Sequence, residues 1–136
     1  MIKEVVKFEN FDGVEVQQDC WFNLNKGELI KLNLTKEGNL QTRLRAIYKT
    51  KDTTELIRVI DEIICSAYGV RDDDGIHFHK GGKYLQDFKE SEAYSEILTK
   101  CLQDVDFCAK FIQGMLPKDM QEAKVDNSDV VKMLES

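Results

Sequence analysis

Between Val14 and Leu24 the apolar positions fall on alternate residues: Val14, Val16, Cys20, Phe22 and Leu24, with Gln18 the polar exception. That alternation fits a strand with one buried face. Ile2, Val6 and Phe8 share one face of a second strand upstream, and NFDG supplies the turn between them. Loop length decides which faces meet. A two-residue Asp12-Gly13 loop sets Phe8 opposite Gln17 and Val6 opposite Asp19. A three-residue loop sets Phe8 opposite Val16 and Ile2 opposite Phe22, which joins the apolar faces. In that register residues 10–13 form a type I turn with Gly13 in the left-handed bulge position. The longer loop is the expected one.

From residue 25 onward the apolar spacing changes to threes and fours, the helical period. Asn25 and Glu28 make a capping box ahead of Leu29, Ile30 and Leu32. Gly38-Asn39 interrupts this face, and Leu40, Leu44, Ile47 and Tyr48 mark a second short helix. Asp52 with Glu55 opens the most regular segment, whose face is Leu56, Ile57, Ile60, Ile63, Ile64, Ala67 and Tyr68. Isoleucine favours strands, but periodicity over roughly four turns outweighs that preference. Gly69 is expected to end the helix in the left-handed C′ position. Tyr84, Leu85 and Phe88 give a short helix. Ser91 caps a longer one with Tyr94, Ile97, Leu98, Cys101 and Leu102 inward. Asp104 caps the last, with Cys108, Phe111, Ile112 and Met115 inward, Gly114 loosening its end and Pro117 stopping it.

These elements predict an α+β fold: an N-terminal antiparallel β-hairpin followed by five or six short α-helices packed as a small bundle. One domain spans residues 1–117, with the hairpin at 2–24 and the helical part at 25–117. Residues 118–136 read as a polar, disordered tail. Its apolar group, Val130, Val131, Met133 and Leu134, follows three potential caps, Asn127, Ser128 and Asp129. A helix that short is unstable alone in water. It either docks on a neighbouring copy or a partner through those side chains, or it is a terminus without a partner.

Charge narrows the function classes. The 136 residues carry 19 Lys plus Arg against 25 Asp plus Glu, a net charge of −6 that repels phosphate backbones. Nucleic acid is not expected as a partner. No apolar run reaches bilayer-spanning length, and MIKEVVKFEN is too charged for a secretory signal, so neither a membrane nor export is expected. Cys20, Cys65, Cys101 and Cys108 lack C-x-x-C or zinc spacing and sit at apolar positions of their patterns, as reduced, mostly buried thiols do.

The stretch RDDDGIHFH holds both histidines and three consecutive aspartates. It is not an EF-hand: with Asp72 first, the twelfth position is Lys83, where the bidentate carboxylate belongs. His77 and His79 share a face if the segment is extended, but a stable metal site requires further ligands in a rigid surround. An exposed acidic connector with a short strand, adding an edge to the hairpin, accounts for the same residues. No serine lies in G-x-S-x-G, no cysteine has an evident base beside it, and Gly81-Gly82 is too short to cradle phosphate. No catalytic residue, metal or cofactor is expected. Trp21, adjacent to Phe22 on the strand, faces outward if Phe22 is core. It is then either a partner-binding residue or covered by another helix.

The order of segments WFNLNKGELIKL, LQTRLRAIYKTKDTTELIRVIDEIICSAYG, DGIHFHK and FKESEAYSEILTKCLQDVDFCAKFIQGMLP resembles the tail assembly chaperones of long-tailed phages and prophages of Gram-positive bacteria. The resemblance spans roughly residues 4–117, most specifically FNLNKGEL, SAYG, SEAYSE and FIQGMLP. It implies a non-enzymatic protein that binds the long tape measure protein and keeps it soluble during tail assembly in the host cytoplasm. It also implies absence from the finished virion. Self-association is expected because short amphipathic helices leave apolar surface uncovered and coating a long partner requires many copies, and other tail proteins are further expected partners. A small phage adaptor or inhibitor of a host protein is the second reading, because an acidic helical domain without chemistry serves that role equally well.

Overall fold

Strand β1 (Ile2–Glu9) turns back as β2 (Glu15–Phe22) in the apolar-matched register, with Ile2 opposite Phe22, Val6 opposite Gln18 and Phe8 opposite Val16. Asn10 fixes the turn. Its side-chain oxygen accepts the N–H groups of Asp12 and Val14, both at 2.9 Å, and its carbonyl accepts that of Gly13 at 3.0 Å. Gly13 has φ +77°, the left-handed conformation anticipated for the bulge. The computed structural model describes residues 1–31, 46 and 48–118. The expected tail anchors Val130, Val131, Met133 and Leu134 lie outside the described residues, as do Leu32, Leu40, Leu44 and Ile47.

The hairpin is half of a larger sheet. Strand β3 (Tyr68–Arg71) pairs antiparallel with β2, setting Trp21 opposite Gly69 and Phe22 opposite Tyr68. Strand β4 (Phe78–His79) then pairs with β3, giving the order β1-β2-β3-β4. The short strand expected in IHFHK thus exists and forms an edge, but it reaches the hairpin only through β3. Gly69 does not act as a helix cap. The preceding helix ends as Tyr68 straightens to φ −64°, ψ 141°, and Gly69 continues as strand. A Cβ at Gly69 would lie 2.6 Å from the Phe78 ring, so the glycine serves strand packing instead.

Among the described residues the helices are α1 (Lys26–Lys31), α2 (Thr53–Ala67), α3 (Gly82–Lys89), α4 (Glu92–Gln103) and α5 (Val105–Met115), with a helical turn at residues 48–50. The capping box of α1 is reciprocal: Glu28 N–H donates to Asn25 Oδ1 at 2.8 Å, and Asn25 N–H donates to Glu28 Oε1 at 3.0 Å. Asp52, Ser91 and Asp104 each accept the N–H three residues on, as their helix-start patterns require.

Helices α2, α4 and α5 pack on the inner face of the sheet, where Phe22 is fully buried. Its ring meets Phe111 at 4.8 Å, Tyr68 at 5.8 Å and Phe88 at 5.9 Å, all edge-to-face, while Tyr68 stacks on Phe88. Some positions depart from the helical patterns. Ile30, Ile57 and Tyr84 are exposed, and Val59 and Ala93 take places in the core. Gly114 lies inside α5 and does not loosen it; a Cβ there would lie 2.5 Å from Ile2 Cδ1, so the glycine lets β1 approach the helix.

Candidate protein-binding surface

Alternation along β2 turns Cys20 and Phe22 inward and Trp21 onto the opposite face. Two cations flank its ring: Arg71 Cζ lies 4.9 Å and Lys3 Nζ 5.6 Å from the centroid. Both come from neighbouring strands, Lys3 directly opposite Trp21 on β1 and Arg71 two residues beyond its partner Gly69 on β3. Phe78, opposite Arg71 on β4, lays its ring over Gly69, and Lys80 Nζ lies 5.6 Å from that ring. The outer face therefore carries a strip made of Trp21 and Phe78 with Lys3 and Arg71, running across all four strands. Trp21 is half-buried, with Lys3 and Arg71 against its ring. Aromatic rings of this kind, bordered by guanidinium and ammonium groups, suit contact with apolar or acidic protein surface.

The Asp–His stretch forms the β3–β4 loop. Asp74 Oδ1 accepts the N–H groups of Ile76 at 2.8 Å and His77 at 3.0 Å, and Asp72 N–H donates to the His77 carbonyl at 3.0 Å. Those backbone donors hold the Asp74 carboxyl below the usual carboxylate range. The rings of His77 and His79 share a face, 6.3 Å apart and nearly parallel. Each contacts a carboxylate, His77 Nδ1 at 2.5 Å from Asp74 and His79 Nε2 at 2.9 Å from Asp72. Donor atoms of Asp72, Asp74 and His77 lie within 4.8 Å of one another, so the fold supplies the nearby carboxylates that the spacing of the histidines does not reveal. All three residues are exposed, and the aspartates act as turn locks.

Lys80 has a different task. Its ammonium donates to both oxygens of Glu28 at 2.7 and 2.6 Å, to the Asn23 carbonyl at 2.5 Å and to the Ser66 carbonyl at 3.0 Å. Burial draws its pKa below the ordinary lysine value, with Glu28 opposing. A hollow of about 340 Å³ beside this pair is lined by Lys31, Cys65 and Gly81 as well. Cys20, Cys101 and Cys108 are buried and Cys65 half-buried, all four as free thiols. Burial pushes the Cys20 thiol up to about 12 and Cys65 up to about 11, the latter donating to Asp61 at 3.4 Å. Such thiols are poor nucleophiles near neutral pH.

Two exposed apolar residues carry no periodic signal in the sequence: Phe11 on the hairpin turn, 90% exposed, and Ile76 in the β3–β4 loop, 82% exposed. Turn residues lie outside any alternation, so only a folded hairpin shows that Phe11 projects into solvent. Among the described residues no helix is long and apolar enough to cross a membrane. No curated protein and no solved structure matches the chain. A family model described as phage tail assembly chaperone matches residues 1–135. With the match running through the sheet, the helices and the outer aromatic strip alike, the chain belongs to the phage tail assembly chaperone family.

Proposed function

We propose that this protein binds the tape measure protein of a long-tailed phage of a Gram-positive host and keeps it soluble in the host cytoplasm while the tail is built. The observation that carries the reading is the family match over residues 1–135, and that family points to a non-enzymatic role. The physical properties support it. A tape measure is a long helical chain with apolar stretches, and a holder for it needs apolar contact surface on an acidic, soluble body. Trp21 with Phe78, flanked by Lys3 and Arg71, is the contact surface assigned to it, and Val130, Val131, Met133 and Leu134 are a second set of anchors. Self-association belongs to the same reading, because covering a long partner requires several copies. Other tail proteins are further partners by the same logic.

Co-expression with the tape measure protein tests this. The wild-type chain should raise the soluble fraction of the partner and co-purify with it, and Trp21→Ala should reduce both without lowering the thermal stability of the free chain. Deleting residues 126–136 tests the second anchor set in the same assay. A tape measure whose solubility is indifferent to the wild-type chain would refute the proposal.

A further inference from the structure

Strand β1 ends the sheet, and among the described residues no strand lies beyond it. Asn10 N–H bonds the Val14 carbonyl at 2.9 Å, which fixes the parity of the antiparallel ladder. The even residues of β1 therefore bond to β2, and the N–H and C=O groups of Lys3, Val5, Lys7 and Glu9 point to the free edge. The side chains of these four residues are all exposed on the outer face. An eight-residue edge strand is long for a sheet, and an edge left uncovered by the described residues templates pairing with another chain.

Charge along β1 distinguishes the possible pairings with a second copy. Consider an antiparallel β1–β1 pair with its twofold axis at Val6. Lys3 then faces Glu9 of the second copy on both sides of the axis, Val5 faces Lys7, and Val6 faces Val6 on the inner side. Shifting the axis to Val5 sets Lys3 against Lys7 twice. Shifting it to Lys7 sets Lys7 against itself. Like charges directly opposite destabilise a sheet and opposite charges stabilise it, which selects the Val6-centred register among these three. An axis at Phe8 also sets Lys7 against Glu9, but it overlaps strand residues 7–9 alone, whereas the Val6 axis overlaps residues 3–9. In that register the four edge-facing residues are also the hydrogen-bonded ones, so backbone and side-chain requirements agree. Below the edge, a groove of about 300 Å³ between β1 and helices α4 and α5 is lined by Glu4, Lys7, Glu96, Lys100, Gln103 and Phe107, leaving room for the second copy's strand to approach.

We infer that two copies of this chain join their β1 edges antiparallel about Val6, making one continuous eight-stranded sheet whose outer face carries both Trp21 strips. The inference rests on the self-association in the proposed function and gives it a surface and a register.

Sedimentation velocity over a concentration series of the full chain reads the association. Val5→Pro removes an N–H that the β1–β2 ladder does not use, so it should abolish the dimer while the melting curve shows a folded chain. Lys3→Glu alone and Glu9→Lys alone each convert two attractive pairs into repulsive ones and should weaken association about tenfold or more. Mixing these two variants should restore it. In the mixed pair the introduced carboxylate meets the introduced ammonium, and the unchanged Glu9 of one copy meets the unchanged Lys3 of the other. The mixing arm needs no proline and decides the matter even if Val5→Pro fails to fold. A wild-type chain that stays monomeric overturns both the edge pairing and the self-association it rests on. A dimer indifferent to the charge reversals, or one that the mixture does not restore, overturns the edge pairing and leaves self-association through another surface.

Discussion

Removing the Lys80 ammonium should unfasten three parts of the fold at once. Its nitrogen holds Glu28 of α1, the Asn23 carbonyl just after β2 and the Ser66 carbonyl in the last turn of α2. Hydrogen bonds to a charged group contribute roughly 1.5–3 kcal/mol each when buried. The side chains of Lys80 and Glu28 keep 21% and 25% of their exposure, so water replaces part of what is lost. Lys80→Met should then cost about 2–3 kcal/mol, which lowers the melting temperature by about 10 °C in a domain of this size. Glu28→Gln retains an acceptor for the Asn25 N–H and should cost about 1 kcal/mol. In the double variant the costs should fall short of additive by about 1–2 kcal/mol, since the Glu28–Lys80 bond can be lost only once. Urea denaturation of the four proteins closes this cycle. A Lys80→Met chain within about 0.5 kcal/mol of wild type, or strict additivity, would show that the cluster is solvated and holds nothing.

Three further substitutions probe the local readings. Gly13→Val should cost about 1–2 kcal/mol by thermal melting, because a β-branched residue enters the +77° conformation poorly, and an unchanged melt would discredit the bulge. Gly69→Ala drives a methyl into the Phe78 ring and should cost about 1–3 kcal/mol, most of it recovered when Phe78 is also changed to Ala. Replacing His77 and His79 together by alanine should shift stability by no more than about 0.5 kcal/mol, because Asp74 still locks the loop through backbone N–H groups. Stoichiometric zinc in the wild-type protein, seen by elemental analysis and lost in the double variant, would overturn that expectation.

What the sequence shows plainly is what neighbouring residues decide among themselves. The hairpin register follows from alternation and one turn, and the caps at Asn25, Asp52, Ser91 and Asp104 each involve a residue and the one three places on. Strand β3 escaped because its pairing partner is distant in sequence: Tyr68 and Gly69 continue a helical pattern until Phe22 and Trp21 claim them. The same long-range pairing hides the site. Alternation turns Trp21 outward, but Arg71 reaches its ring only once β3 lies beside β2, and Phe78 joins only once β4 lies beside β3. Glycine misled for a related reason. Gly69 and Gly114 both follow helical runs and read as helix ends, whereas each makes room for a side chain from another element, Phe78 and Ile2.

A sheet with helices on one face leaves the other face to be explained, and here β1 offers two surfaces of different chemistry. Its odd residues present side chains to the open face, where Lys3 borders Trp21, and backbone groups to the free edge. A partner held on the face is recognised through rings and cations. A second copy at the edge would be recognised through main-chain hydrogen bonds, with charge setting the register. The two contacts can therefore coexist, since edge pairing engages Lys3, Val5, Lys7 and Glu9 but leaves Trp21, Arg71 and Phe78 untouched. It would also place the two Trp21 strips on one surface, converting two weak contacts into a bivalent one for a long partner. On that argument Val5→Pro should weaken capture of the tape measure protein by loss of bivalency, while Trp21→Ala should weaken it with the dimer intact. Equal loss of dimer in both variants would mean that face and edge form one surface, and the separation drawn between them would fail.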